Sequence, residues 1–131
     1  MIRGTSSDDS TLAVMKWALM IVLCIGSSGW ATDRVFHGRY VFGHEVESFQ
    51  PCGSKKSYWA AADETTLQSL RDISNQLRRE RHQPYPPIYL EVTGAVDTKS
   101  KRDGFAEGYD GLFFIRKIVR TSTVIPTECA K

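Results

Sequence analysis

Gly38-Arg-Tyr-Val-Phe-Gly-His-Glu-Val-Glu-Ser-Phe49 is the stretch on which the reading of this chain turns. Aromatic and β-branched residues dominate it, which suits a half-buried pleated strand. Tyr40, Phe42 and Val46 share one face at a period of two, whereas Phe49 falls on the opposite phase. Gly43 lies between them. An interior glycine together with a phase slip predicts a bulge or sharp bend within one long first strand, the kind of bend a small barrel needs to close.

Working outward from that strand, Gln50–Lys56 reads as a turn punctuated by Pro51 and Gly53. Ser57-Tyr-Trp-Ala-Ala61 reads as a short second strand. Asp63 then suits a helix N-cap, and Leu67, Leu70, Ile73 and Leu77 recur at helical spacing as a single apolar stripe. Arg78, Arg79, Arg81 and His82 gather late in the helix, where cations complement its dipole, and Pro84 stops it. Ile88, Leu90, Val92 and Val96 alternate with Tyr89, Glu91 and Thr93 as a third strand, with Gly94 marking another bend. Asp97–Asp110 is a charged, glycine-bearing loop whose Phe105 and Tyr109 either pin it down or line a binding face. Leu112–Val119 is the last strong strand. The expected fold is mainly β with one helix, in chain order β-β-α-β-β. Five strands are reached if the first divides at Gly43. This suits a small, partly open OB-like barrel whose helix covers one mouth.

The opposite end of the chain addresses the compartment. Trp17-Ala-Leu-Met-Ile-Val-Leu-Cys-Ile25 is too short to span a bilayer, which needs about 20 residues. It fits the apolar core of a secretory signal, with Met15 an alternative start. Gly29 and Ala31 place small residues for cleavage before Thr32, making residues 1–31 a removed segment and 32–131 the domain. Cys24 ends the apolar run as a lipid-attachment cysteine would, although Leu23 before it is not the usual small residue. The two processing routes release or anchor the same domain. Export to the periplasm or outer membrane is expected on either route. Cys52 and Cys129 remain after cleavage and are expected to pair in an oxidising compartment.

Apolar residues make up 41% and charged residues 24% of the 131 positions, so the chain is composed as a globular protein. The formal net charge of +2 gives no reason to expect nucleic acid as a partner. No Gly-x-Ser-x-Gly elbow, Cys-x-x-Cys or His-Glu-x-x-His occurs. His37 and His44 are seven apart, which places them on opposite faces of a regular strand. Glu45 and Glu47 share a strand face at period two and read as a solvated pair. No catalytic residue, resident metal or cofactor is expected. Tyr40, Phe42, His44, Tyr58 and Trp59 form the candidate ligand face, with Tyr58 and Trp59 also suited to straddle core and rim.

Tyr40-x-Phe-Gly-His-Glu-Val-x-Ser-Phe-x-Pro-Cys-Gly-Ser54 followed by Tyr58-Trp59, and later Tyr89-x-Glu-Val-x-Gly94 and Gly104-Phe-Ala-x-x-Tyr-Asp-Gly-Leu112, resemble the OB-like C-terminal domain of the NlpE-type envelope lipoproteins and its stand-alone relatives. The resemblance covers nearly all of residues 38–119. It implies a non-enzymatic periplasmic or outer-membrane protein. Export together with a small barrel that lacks catalytic constellations leads to the expectation of a binding, sensing or structural module whose partner is another envelope protein, a glycan or a membrane surface. Copper or zinc handling is the alternative, with His44 a ligand. The family's N-terminal Cys-x-x-Cys domain has no counterpart here, so its metal sensing does not carry over.

Overall fold

The protein is described by a computed structural model over residues 34–130. Residues 1–31 with their signal reading, the cleavage point after Ala31, the start at Met15 and the lipidation of Cys24 lie outside the described residues. Asp33–Lys131 forms one compact unit. Its elements are β1 (Arg34–Gly43), β2 (Val46–Pro51), β3 (Tyr58–Ala61), α1 (Glu64–Arg81), β4 (Ile88–Asp97) and β5 (Leu112–Ser122).

The long first strand is two strands. Gly43 pairs with Val46 across the two-residue turn His44-Glu45, and Glu45 takes the left-handed conformation at φ 60. Chain order is therefore β-β-β-α-β-β rather than β-β-α-β-β. The hairpin also resolves the phase slip. Tyr40 faces Phe49 and Phe42 faces Glu47 across the ladder, all turned inward. Gly43 is not needed for its φ. A Cβ there would run into the Tyr85 ring, so the glycine is what lets the segment after α1 close over the hairpin.

The strands join edge to edge in the order β1-β2-β3-β5-β4, and β4 pairs back onto β1. All pairs are antiparallel except β3 with β5. The expected partly open barrel is thus a closed ring, sealed at β3, where the Trp59 N–H donates to the Gly111 carbonyl at 2.9 Å. A five-stranded ring in this order, with its helix between β3 and β4, is the OB-like arrangement.

Inside the ring Tyr40, Phe49, Tyr58, Ile88, Leu90, Val92, Phe113 and Ile115 pack with Leu70 and Leu77 of α1. The Phe49 and Phe113 rings lie 4.4 Å apart and Phe36 meets Phe113 edge-on at 4.9 Å. Each such fully buried side chain contributes about 1.5–3 kcal/mol. Two residues of β5, Arg116 and Val119, are extra relative to β4 and form bulges. At one of these bends Gly94 touches the Phe114 carbonyl, where a Cβ would collide.

α1 starts at Asp63, whose carboxylate accepts from the Thr66 N–H and hydroxyl, each at 2.8 Å. Those bonds hold its carboxyl below the ordinary value. His82 closes the helix in the left-handed conformation. The basic end is used on backbone: the Arg81 guanidinium donates to the Thr123 carbonyl at 3.1 Å. Among the described residues no helix is long and apolar enough to cross a membrane. Cys52 and Cys129 stand at disulfide distance, Cα–Cα 4.5 Å, closing 77 residues of sequence separation. After β5 the tail returns through the 3-10 turn Thr127–Cys129 to the β2–β3 turn.

Candidate functional site

The outer wall of the ring at β2, β3 and β5 carries an aromatic patch. Register places Val41, Ser48, Trp59, Leu112 and Asp97 side by side across successive strands. One step along, Phe114 lies between Ala61 and Ala95. Alternation along a strand turns these residues outward while Tyr58, Ala60, Phe113 and Ile115 point into the core. Phe114 is 41% exposed and Trp59 half-buried.

The β4–β5 loop leans onto this wall. The Ser57 N–H donates to the Asp110 carboxylate at 2.8 Å, and the Asp110 N–H donates to the Ser57 carbonyl at 2.9 Å. This reciprocal pair sets Tyr109 with its ring 5.5 Å from that of Trp59, edge to face. Arg102 donates to the Tyr109 carbonyl at 3.0 Å and braces the loop from behind. Burial raises the Tyr109 phenol above its ordinary value. Tyr109 thus pins the loop, whereas Phe105, at 56% exposed, does not.

The five residues expected as one ligand face are dispersed. Tyr40 and Tyr58 are core. The Phe42 ring lies under the Arg71 guanidinium at 5.4 Å. His44 sits in the β1–β2 turn, its imidazole nearly fully exposed and 3.2 Å from the Glu45 carboxylate. Only Trp59 belongs to the outer patch. The pairing of Glu45 with Glu47 on one face also fails, because Glu45 is in the turn and Glu47 points inward.

Two polar clusters remain. Inside, Glu47 accepts from Arg71 Nε at 3.0 Å and Nη2 at 2.7 Å, and from the Tyr40 hydroxyl at 2.8 Å. Arg71 Nη1 adds Glu64 at 3.1 Å. Burial first, then the bond to Glu47, raises the Tyr40 phenol far above its ordinary value. Both Glu47 oxygens are thus engaged by neighbouring donors. Outside, the Tyr89 hydroxyl donates to Glu91 at 3.0 Å and lies 2.9 Å from His37 Nδ1. With the phenol proton directed at Glu91, the ring nitrogen of His37 donates to the phenol oxygen. His37 therefore faces a phenol and a carboxylate, not a serine or a thiol.

Among the described residues no group of three His, Cys, Asp or Glu side chains could hold a metal ion. His37, His44 and His82 lie on three separate elements. Comparison of the chain with protein-family models, with curated proteins and with solved structures gives no match.

Leu112, Phe114 and Tyr109 were not legible as companions of Trp59 in the sequence. Their juxtaposition depends on the parallel β3–β5 pairing, which no local pattern encodes. The one available signal was the pair of aromatics in an otherwise polar loop, Phe105 and Tyr109.

Proposed function

We propose that this chain is a non-enzymatic binding module of the cell envelope, exported by its N-terminal apolar segment and taking a glycan on the wall around Trp59 and Tyr109. The observation that carries the reading is the Trp59–Tyr109 pair, held on the outer face of β3 by the Ser57–Asp110 pair. OB-like rings characteristically take extended oligomers on the β2–β3 face and the β4–β5 loop. Flat aromatic surface flanked by a few polar side chains is what a site for a neutral, ridged sugar chain needs. Ser48 lies beside Trp59, and Gln50, two residues on, has the same outward phase. The likeness of residues 38–119 to the NlpE-type domain supports the envelope setting, and the Cys52–Cys129 approach suits an oxidising one.

Co-sedimentation of the full-length chain with purified peptidoglycan tests the ligand. Trp59→Phe should weaken retention about tenfold while the melting temperature holds, since about 1.4 kcal/mol of lost contact is a factor of ten, and Tyr109→Ala should weaken it at least as much because it also frees the β4–β5 loop. Retention unchanged in both variants would remove the glycan. Recovery of a second envelope protein in place of peptidoglycan would reassign the wall to a protein partner. The N-terminal residue of the protein recovered from cells tests export: Thr32 or an acylated Cys24 supports it, and an intact Met1 sinks it.

A further inference from the structure

A second face of the ring has a different character, and the formal net charge of +2 conceals it. The outer wall of β1, β4 and β5 stacks its residues in rows: Arg39 beside Tyr89 beside Ser122, His37 beside Glu91 beside Arg120, and Val35 beside Thr93 beside Lys117. The two bulges of β5 enlarge this wall. Arg116 and Val119 are the extra residues, and both are exposed next to Lys117 and Arg120. A bulge re-aims side chains that regular alternation would send elsewhere. The result is a surface bearing Arg39, Arg116, Lys117 and Arg120 against the carboxylates of Glu91 and, from the returning tail, Glu128. Glu91 is itself engaged by Tyr89 and lies 4.0 Å from Arg120. Val35 and Val119, each about half exposed, stand among the cations.

Arg34 itself has the inward phase of Phe36 and lies over that ring, 5.2 Å from its centroid. Arg34 opens β1, and nine residues separate it from Cys24, a tether of about 35 Å at full extension. An acyl chain on Cys24 would hold the domain within that reach of a bilayer.

We propose that the outer wall of β1, β4 and β5 docks on an anionic phospholipid surface, with Lys117 and Arg120 meeting the headgroups and Val35 and Val119 resting at their depth. Clustered cations gain from the negative potential of such a surface, and the gain decays within a Debye length. A bilayer contact here leaves the Trp59 wall available, so the proposal stands independently of the glycan reading.

Flotation of the full-length chain with vesicles of phosphatidylcholine alone, and of an equimolar mixture with phosphatidylglycerol, separates charge attraction from insertion of the apolar run. The wild-type chain should partition more strongly onto the mixed vesicles, and added salt should remove the preference. Each neutralised cation is worth about fivefold, so Lys117→Gln with Arg120→Gln should reduce that preference about 25-fold. Both side chains are exposed, and an unchanged melting temperature confirms that the fold is kept. Arg79→Gln with Lys55→Gln removes the same charge from other elements and should retain the preference. An equal loss in both double variants, or no preference in the wild type, overturns the proposal. Equally tight binding to soluble dextran sulfate would assign the wall to a polyanion in solution and also overturn it.

Discussion

The chain uses the same three residue types twice, once inside the ring and once outside. In the interior, Tyr40 donates to Glu47 at 2.8 Å, and Arg71 grips the same carboxylate with two nitrogens while lying over Phe42. On the outside, Tyr89 donates to Glu91 at 3.0 Å, and Arg120 lies over the Tyr89 ring but reaches Glu91 only at 4.0 Å. The Arg71–Glu47 side chains are 25% and 7% exposed, against 60% and 22% for Arg120–Glu91. What separates the two is water. Where it is excluded, every donor must find its acceptor and the geometry tightens. Where it is present, water satisfies what the protein leaves loose, and the Arg120 guanidinium stays exposed.

The largest expected effect comes from removing the bridge that partly encloses the outer cluster. Tyr89 points away from the core yet is 3% exposed, and burial, then the bond to Glu91, and least of all Glu128 of the returning tail, raise its phenol. Cys52→Ala with Cys129→Ala should cost about 4 kcal/mol, the chain-entropy value for a loop of this length. The loss should also be directional. Nitration by tetranitromethane should reach Tyr89 in the variant while Tyr40 stays protected. Equal nitration of both would mean that the interior cluster depends on the tail as well, and the contrast between them would fail.

Next comes the contrast in carboxylates. Glu47→Ala strands Arg71 and the Tyr40 hydroxyl and should cost about 3 kcal/mol in urea unfolding. Glu91→Ala leaves groups that water can reach and should cost less than about 1 kcal/mol. Comparable losses at the two sites would show that burial does not decide their strength.

Much of this fold was legible in the sequence, and the part that was not has a physical cause. The helix, its Asp63 cap, the alternation of β4 and the apolar stretch of β5 follow local periodicity, so they read correctly. The hairpin was visible as a phase slip at Gly43 and was misread as a bend, because His44-Glu45 lacks the Asn-Gly chemistry of a two-residue turn. Once the slip is counted, Glu47 shares the inward phase of Phe49, and Arg71, set one residue after Leu70, falls on the covered side of α1. Their pairing was therefore half-encoded. The closure of the ring through β3 and β5 was not encoded at all. Parallel pairing between strands separated by a helix, a third strand and a long loop leaves no local trace, and the Trp59 wall depends on it.

A smaller test probes the rule that interior polar groups must be paired. Ser74 is fully buried on α1, and its hydroxyl has no partner. Ser74→Ala should stabilise the domain by about 1 kcal/mol, since it removes a desolvated hydroxyl without opening much space. Destabilisation of that size would mean that the hydroxyl is satisfied by a bound water and that the interior is wetter than the contrast requires.

The finest test is titration in alkali. Burial raises both Tyr40 and Tyr89, reinforced by bonds to Glu47 and Glu91 respectively. A phenol whose folded value is raised contributes stability that is complete below its unfolded value, about 10, and is lost as pH rises through the folded value. Stability should therefore begin to fall above about pH 10. Tyr40 lies deeper, and its proton is shared with a carboxylate already saturated by Arg71, so it should ionise only as the ring opens. Tyr89, against a face that water reaches, should ionise while the domain is still folded. Absorbance of phenolate against circular dichroism distinguishes the two steps. In the cysteine-free variant the earlier step should move toward neutral pH and the later one should stay with unfolding, because Glu128 of the tail acts on the outer phenol and not on the inner one.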